Sequence, residues 1–163
     1  MPTKQAGDSK RSDAHSAALR LLAYRARSEA ELRQRLLRRF PSDDVERAIQ
    51  SLKAQGYLDD ADFARRWRES REASHPRSAR RIRQELSQHG VAPDEIERAL
   101  EGFDDEGNAM RAARKYVPSL RGLDYPTFAR RLGTYLQRRG FSSSLIWRIV
   151  RQMWSEQVKH SRQ

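Results

Sequence analysis

The feature that most constrains this chain is an internal repeat with a period of fifty residues. Apolar pairs recur at that spacing in three places, Leu32 and Leu36, Ile82 and Leu86, and Leu132 and Leu136. A second set follows in each copy, Val45 and Ile49, Ile96 and Leu100, and Ile146 and Val150. A fixed period of this length is typical of stacked units, because one small unit buries too little apolar surface alone. The sequence therefore predicts three units of one kind.

Apolar residues are spaced as in helices throughout these copies, and no segment alternates as a strand would. We predict an all-α fold of three tandem three-helix units, at residues 16–56, 57–103 and 104–154. The predicted helices span 16–26, 28–40 and 43–55, then 60–73, 76–89 and 93–101, then 105–117, 126–139 and 142–154. Residues 1–15 are predicted to be a disordered leader, because they are polar and aperiodic, and residues 155–163 a frayed tail.

Helix ends are signalled locally. Ser28 followed by Glu31 predicts a capping box at the start of a middle helix. Pro93 suits a first helical turn, where a missing N–H costs nothing. Gly90 and Gly140 are suited to the left-handed residue that ends a helix. The first copy has Arg39-Phe40-Pro41 at this place, without a glycine and one residue shorter.

Large aromatic residues cluster near the predicted unit boundaries. We expect them to pack in the core or between units, with base stacking as the alternative; they are Tyr57, Phe63, Trp67, Phe103, Tyr116 and Tyr125. Trp147 and Trp154 lie seven residues apart, on one face of a helix. This pair is expected to seal the third unit.

The charge balance indicates an anionic partner. Lysine and arginine number 33 against 22 aspartates and glutamates, which gives a net charge of +11. Nearly all the cations are arginines, which suit bidentate phosphate and carboxylate contacts, although a GC-rich coding sequence would also favour arginine. The chain has no cysteine, no signal peptide and no apolar run long enough to span a bilayer. We expect a cytoplasmic protein.

The residues that catalysis or metal binding would need are poorly arranged. The four histidines match no metal-site spacing, and there is no Gly-rich phosphate loop. Carboxylates cluster at Asp43-Asp44, Asp59 to Asp62 and Asp104 to Glu106, as a two-metal nuclease would require. Each cluster opens a predicted helix, however, where acidic side chains cap free N–H groups. The sequence predicts no enzyme, no metal and no cofactor.

The middle helix of every unit is the richest in arginine. Leu32, Ile82 and Leu132 mark the apolar stripes of these helices, and the arginines surround the stripes. The predicted binding residues are Arg33, Arg35, Arg38, Arg39, Arg77, Arg80, Arg81, Arg83, Arg130, Arg131, Arg138 and Arg139. If the units stack in register, these helices would form one basic track suited to a phosphate backbone. A merely solvated helix face is the alternative.

Two motifs resemble those of a known family. The run Gly56-Tyr57-Leu58-Asp59-Asp60-Ala61-Asp62-Phe63-Ala64-Arg65 is similar to the signature of the RecX family of bacterial recombination regulators. The second motif is Arg81-Ile82-Arg83-Gln84-Glu85-Leu86-Ser87-Gln88-His89-Gly90-Val91, and Ala30 to Leu36 also fits. The likeness covers approximately Ala18 to Met153. The sequence departs from the family at His75-Pro76-Arg77-Ser78, where a glycine-containing turn is common, and at Arg39-Phe40.

The resemblance implies a function that the repeats alone do not. Proteins of this family bind the RecA recombinase, lodge in the groove of its filament on single-stranded DNA, and inhibit its ATPase and strand exchange. Their fold is three three-helix units in an elongated, curved array. We therefore expect a monomer that binds the RecA filament and, weakly, single-stranded DNA through its backbone. The motif residues Gly56, Tyr57, Leu58, Asp59, Asp60, Phe63, Ile82, Glu85, Leu86 and Gly90 are expected to be largely structural.

Two other functions remain open on the sequence alone. A generic nucleic-acid-binding module would share the charge and the helices but recognise no recombinase. Its helix-turn-helix form would place the last helix of a unit in the major groove, whereas the arginines here concentrate on the middle helices. A scaffold protein would leave the charge unexplained.

Overall fold

The structure is a computed structural model that describes the backbone of residues 5–161 and the side chains of residues 13–161. Over that range the chain forms nine α-helices and no strand. The helices are α1 (Gln5–Tyr24), α2 (Glu29–Leu36), α3 (Ser42–Ala54), α4 (Asp60–Ser74), α5 (Ala79–Gln88), α6 (Pro93–Ala99), α7 (Asp105–Tyr116), α8 (Tyr125–Arg138) and α9 (Ser143–His160). A short 3-10 helix, Val117–Leu120, follows α7. The predicted all-α fold with three three-helix repeats is confirmed.

Two compact units make up the described chain. The first unit comprises the described residues up to Arg66 together with Leu86–Ala99, and the second comprises Trp67–Glu85 together with the residues from Leu100 onward. Each unit has its own apolar core, centred on Leu32, Leu36 and Ile49 in the first and on Phe128, Leu132 and Leu136 in the second. All six residues of the repeated middle-helix pairs are fully buried, at 1% exposure or less. The repeat therefore marks core positions, as predicted.

The two chain ends differ from prediction. Helix α1 begins at Gln5, so the predicted disordered leader is wrong from that residue on, while residues 1–4 lie outside the described part. Ala14, upstream of the predicted start at Ser16, is fully buried, so α1 already packs against the fold before that residue. Helix α9 continues to His160, so the predicted frayed tail is also wrong over residues 155–160. Residues 156–158 are half-buried, which gives that end packing contacts.

The helix caps form largely as the sequence predicts. Ser28 and Glu31 make the capping box of α2, and α6 begins at Pro93. Two of the three acidic clusters cap helices as expected: Asp59 accepts from the backbone N–H of Asp62, and Asp104 from that of Gly107. The prediction is wrong for Asp43-Asp44, because Pro41 stands at the N-cap of α3 without a side-chain cap and Asp44 pairs with Arg47 instead. The next residue in each of the two capping clusters has a different role, because Asp60 and Asp105 cap a helix of the preceding repeat.

The first unit contains a contact between the start of α2 and the end of α5. The Ser28 hydroxyl donates to the His89 carbonyl, and the Glu29 N–H donates to Asp60 Oδ1 at 2.8 Å. His89 Nδ1 lies 2.6 Å from Glu31 Oε1. Gly90 has a φ of 75°, and a Cβ there would lie 2.5 Å from Ala30 Cβ. We call this arrangement the first helix-end contact.

The second unit repeats the arrangement between the start of α5 and the end of α8. The Ser78 N–H donates to the Arg139 carbonyl at 3.1 Å, and the Ala79 N–H donates to Asp105 Oδ1 at 2.7 Å. Gly140 has a φ of 92°, and a Cβ there would lie 2.5 Å from Ser78 Oγ. This is the second helix-end contact. Phe40 occupies the equivalent place in the first copy, and because it lines an open groove a large side chain fits there.

Some aromatic residues do not lie where the sequence predicts. Phe63 is buried, and Trp67, Phe103 and Tyr116 are half-buried, as expected. Tyr57, Tyr125 and Trp147 are 62%, 37% and 57% exposed, so the predicted burial of the two tyrosines and the predicted sealing role of Trp147 are wrong. Of the two tryptophans of α9, only Trp154 packs on the third-repeat core, where it lies beside Tyr125 and Phe128. Seven-residue spacing places Trp147 near that helix face but does not ensure that a neighbouring helix covers it.

Candidate functional site

Half of the predicted binding arginines converge on one cavity in the second unit. We call it the basic pocket; it has a volume of about 420 Å³ and is lined by Arg77, Arg81, Arg130, Arg131, Arg138 and Arg139 with Tyr116, Thr134 and Tyr135. None of the residues lining it is acidic. Guanidinium groups concentrated without carboxylates attract an anion, and a concave wall strengthens their field.

Helix α8 supplies most of the basic pocket. Asp124 caps this helix, and buried Leu132 and Leu136 fix its rotation against the core. Residues three and four apart share a helix face, so Arg131, Tyr135 and Arg138 turn together to the side away from the leucines. Local sequence thus determines which arginines of α8 can meet in the pocket.

An aromatic pair supports the wall of the basic pocket. The rings of Tyr116 and Tyr135 are stacked, with centroids 4.1 Å apart and an angle of 5° between planes. The guanidinium carbon of Arg139 lies 4.3 Å from the Tyr135 ring centroid, a cation–π distance. The sequence predicts packing for Tyr116, with base stacking as the alternative, and gives no role to Tyr135. The fifty-residue repeat could have drawn attention to Tyr135, because it corresponds to Arg35 and Glu85, which are polar residues, in the other copies.

A buried carboxylate orients the arginines that α5 and its preceding loop bring to the pocket. Glu85, whose side chain is 8% exposed, accepts from Arg71 Nε at 2.9 Å and also pairs with Arg77. The Trp67 indole N–H donates to the same carboxylate at 2.8 Å. A buried charge is tolerated only when it is paired and hydrogen-bonded, so these contacts fix Arg77 in one direction.

Arg81 retains unused donor capacity in the pocket. Its Nε atom is buried without a hydrogen-bond partner in the described part of the chain, and Glu85 Oε1 lies 3.6 Å away. The remaining lining arginines of α8, Arg130, Arg131 and Arg138, are exposed. Planar guanidinium donors of this kind match phosphate oxygens, and the tyrosines add apolar faces. The pocket is therefore suited to binding an anion.

The arginines of α2 form a separate set in the first unit. Arg35, Arg38 and Arg39 line a groove of about 370 Å³ with Arg20 of α1, over a floor of Ala17, Leu21, Leu36 and Phe40. We call it the first-unit groove. Arg20 was not predicted, because α1 was expected to carry no binding residue. This groove is also free of acidic lining residues.

Three predicted arginines line neither cavity. Arg33 is held by two carboxylates, Glu29 at 2.9 Å and Glu46 at 2.5 Å. The hydrogen bonds that Arg33 donates to Glu46 and Glu29 raise the pKa of Arg33 above its ordinary value, so its charge is compensated within the fold. Arg80 and Arg83 are exposed on α5, away from the residues that line the basic pocket.

Most family-motif residues have structural positions. Leu58, Phe63, Ile82 and Leu86 are buried, Asp59 and Asp60 cap helices, and Gly56 and Gly90 have left-handed backbones. Glu85 orients Arg77, as described. Tyr57 departs from the set, because its side chain is mostly exposed.

An apolar groove lies along another face of α8, and sequence analysis missed it. It has a volume of about 500 Å³ and is lined by Tyr125, Pro126, Ala129, Arg130, Gly133, Thr134, Gln137, Ser143, Ile146, Trp147 and Val150. Ala129 and Gly133 are small and one turn apart, which leaves a depression between α8 and α9. We call it the apolar groove. The four-residue spacing of Ala129 and Gly133 was the sequence signal that could have indicated a groove on α8.

No metal-binding cluster and no membrane-spanning helix is found in the described residues. No group of three or more histidine, aspartate or glutamate side chains is placed to hold an ion there. None of the helices over residues 5–161 is long and apolar enough to cross a bilayer.

Family models match each of the three repeats. The models describe the first, second and third three-helix domains of RecX, and they match residues 14–52, 59–100 and 104–150.

Individual proteins match over most of the chain. A regulatory protein RecX of Mycobacterium avium is 38% identical over 154 residues, which cover 91% of this chain and 89% of the relative. The Mycobacterium tuberculosis protein of the same name is 37% identical over 145 residues, covering 84% and 83%. A crystal structure of regulatory protein RecX superimposes with a TM-score of 0.76 at 25% identity, covering 91% of this chain and 79% of the other. The RecX structure from Lactobacillus salivarius has a TM-score of 0.75 at 20% identity, covering 90% and 97%, which shows the shared fold.

Proposed function

The chain belongs to the RecX family of regulatory proteins, and from this premise we propose that it inhibits the RecA recombinase. It binds in the groove of the RecA filament on single-stranded DNA, and there limits ATP hydrolysis and strand exchange. The observation that carries the proposal is the basic pocket, where six arginines meet without a lining carboxylate. A regulator of a DNA-bound filament needs such a surface to approach the phosphate backbone.

The chemistry of the pocket favours backbone recognition over sequence recognition. Arginine side chains contact phosphate oxygens, and such contacts carry no information about base identity. The net charge of +11 adds a long-range attraction to the same polymer. The protein therefore binds any single-stranded DNA weakly on its own, which suits a partner defined by its filament rather than by a DNA sequence.

The first-unit groove gives the protein a second point of contact. Arg35, Arg38 and Arg39 line that groove, and Arg80 and Arg83 are exposed on α5 in the second unit. Contacts on one chain add through effective concentration when they meet one filament, so each can be weak. We propose that a single copy acts in the cytoplasm, without a metal, a cofactor or chemistry of its own.

A RecA ATPase assay on single-stranded DNA tests the proposal. Filaments are formed first, the protein is added, and ATP hydrolysis is followed with and without a later excess of free single-stranded DNA. Inhibition that survives the excess DNA supports filament binding. A generic nucleic-acid-binding module would inhibit only by competing for DNA, so relief by the excess would favour that alternative. No inhibition at any concentration would refute the proposal.

A further inference from the structure

We propose that the apolar groove between α8 and α9 is the surface that docks the recombinase, whereas the basic pocket takes the DNA backbone. The proposed occupant is a recombinase segment that offers an apolar side chain flanked by carboxylates. This inference rests on the proposed function, because it assigns the two partners of that function to two faces of one helix.

The shape and lining of the groove indicate a protein side chain. Ala129, Ile146 and Val150 form apolar walls, and Trp147 lies at the surface with 57% of its area exposed. A large exposed tryptophan beside a cavity of about 500 Å³ is unusual on a monomer unless the surface has a partner. Tryptophan is also among the residues most enriched in the centres of protein interfaces.

The charge around the groove selects the kind of partner. Arg130 is the only charged residue among those that line it. Arg151 is exposed one helical turn after Trp147, so it shares that face of α9, and Arg148 is exposed beside it. Glu106 compensates Arg148 in part, at 3.3 Å. An apolar floor with a cationic margin is complementary to an apolar side chain between carboxylates. A second copy of this chain, which carries the same positive charge, fits that margin poorly.

The position of the groove suits simultaneous binding of DNA and protein. Arg130 and Thr134 line both the apolar groove and the basic pocket, so the two surfaces occupy adjacent faces of α8. A DNA strand held in the pocket would lie beside a protein segment held in the groove. This is the arrangement that a regulator needs at a filament in which recombinase covers the DNA.

Two variants and one control test the assignment. Trp147→Ala removes the exposed ring. Gly133→Met fills the groove from a regular helical position where the added Cβ would meet Ile146 Cγ2 at an ordinary 3.7 Å, and the melting temperature reports whether the rest of the side chain is accommodated. Tyr24→Ala is the matched control, because it removes an aromatic side chain that is 85% exposed in the first unit. For each protein we would measure the melting temperature, the affinity for a free thymidine oligonucleotide, and inhibition of RecA ATPase.

We expect half-maximal inhibition to require at least about tenfold more of either groove variant than of wild type, because each variant would remove a central anchor of the interface. Their affinity for the free oligonucleotide and their melting temperatures should stay near wild type, and Tyr24→Ala should match wild type throughout. Normal inhibition by both groove variants would overturn the assignment. A parallel loss of oligonucleotide binding would also overturn it, because the groove would then hold bases. Failure of the wild-type protein to inhibit would instead refute the proposed function itself.

Discussion

The two compact units share one construction and differ in the surroundings of their arginines. Each unit holds a helix-end contact in which an aspartate accepts from the N–H at the start of one middle helix. A serine at that start donates to a carbonyl at the end of the other middle helix, where a glycine follows. In the first unit Arg33 is held by Glu29 and Glu46, and Arg25 by Glu31. In the second unit Glu85 holds Arg71 and Arg77, while the exposed arginines of α8 line a pocket that has no acidic residue in its lining.

The difference shows that repeat position does not decide whether an arginine is available to a ligand. Arg33 lies on an arginine-rich middle helix, yet it is a structural residue because Glu29 and Glu46 hold it. Arg35, Glu85 and Tyr135 occupy the same position in the three copies but have different roles. Arg35 lines the first-unit groove, Glu85 orients Arg77, and Tyr135 supports the wall of the basic pocket. Whether an arginine is structural or can bind a ligand therefore depends on the carboxylates beside it more than on its position in the repeat.

The largest expected effect tests the construction that the units share. Gly90→Ala and Gly140→Ala should each lower the free energy of unfolding by about 3 kcal/mol, because a left-handed backbone and an overpacked contact both carry a cost. The two losses should be similar. Thermal or urea denaturation of the full chain measures them.

Gly56→Ala is the matched control for this prediction. Gly56 has a φ of 77°, but a Cβ there would meet nothing within 4 Å. Its cost should therefore be only the backbone term of about 1 kcal/mol. Equal losses at all three glycines would show that close helix-end packing contributes nothing.

The second prediction sharpens the contrast between the arginine sets. Arg131→Glu with Arg138→Glu should weaken binding to free single-stranded DNA by about 2 kcal/mol, roughly thirtyfold, since these cations share one concave site. Arg35→Glu with Arg38→Glu should cost under about 1 kcal/mol, roughly fivefold. Fluorescence anisotropy at several salt concentrations measures both, and each lost phosphate contact should reduce the salt slope by about 0.7. Equal losses would remove the distinction between pocket and groove.

The third prediction concerns an arginine assigned to the scaffold. Arg33→Gln should lower the free energy of unfolding by up to about 1 kcal/mol, because its ion pairs are partly exposed and screened. Inhibition of RecA should be unchanged. A variant that folds as well as wild type but inhibits poorly would return Arg33 to the binding surface.

The smallest effect concerns the aspartate of the first helix-end contact and how its stability contribution depends on pH. Burial raises the pKa of Asp60 above its ordinary value, with the Glu29 N–H acting in the opposite direction. The folded state therefore holds this proton more tightly than the unfolded state, so ionisation of Asp60 costs stability as pH rises through its folded pKa. Asp60→Asn keeps an acceptor oxygen and should change the free energy of unfolding by within about 0.5 kcal/mol at neutral pH. Relative to wild type, its stability should improve between pH 3 and pH 6, and a decline over that range would contradict this.

Much of the scaffold could be predicted from the sequence, because it depends on local signals. The apolar pairs at Leu32, Ile82 and Leu132, the Ser28 capping box and the glycine at Gly140 each act within one helix or turn. The first copy has Phe40 in place of the glycine. Phe40 lines the open first-unit groove, where a large side chain fits. Helix α1 was placed too late because alanine burial, at Ala14 for example, leaves little hydrophobic periodicity.

The functional surfaces could be predicted only in part, since they depend on residues distant in sequence. Nothing local to Arg33 reveals that Glu46, thirteen residues away, pairs with it. Arg77 and Arg138 meet only because the second helix-end contact brings the two helices together. The exposure of Trp147 likewise depends on which helix covers α9. The sequence could not show this, so the predicted sealing role of Trp147 is wrong.

The most direct test of the account is RecA ATPase inhibition by Arg131→Glu with Arg138→Glu, measured beside its melting temperature. Both side chains are exposed, so the melting temperature should stay close to wild type. The account predicts that half-maximal inhibition of preformed filaments needs at least about tenfold more of the variant than of wild type. A variant that melts normally and inhibits normally would contradict it, and would show that the basic pocket is only a solvated surface.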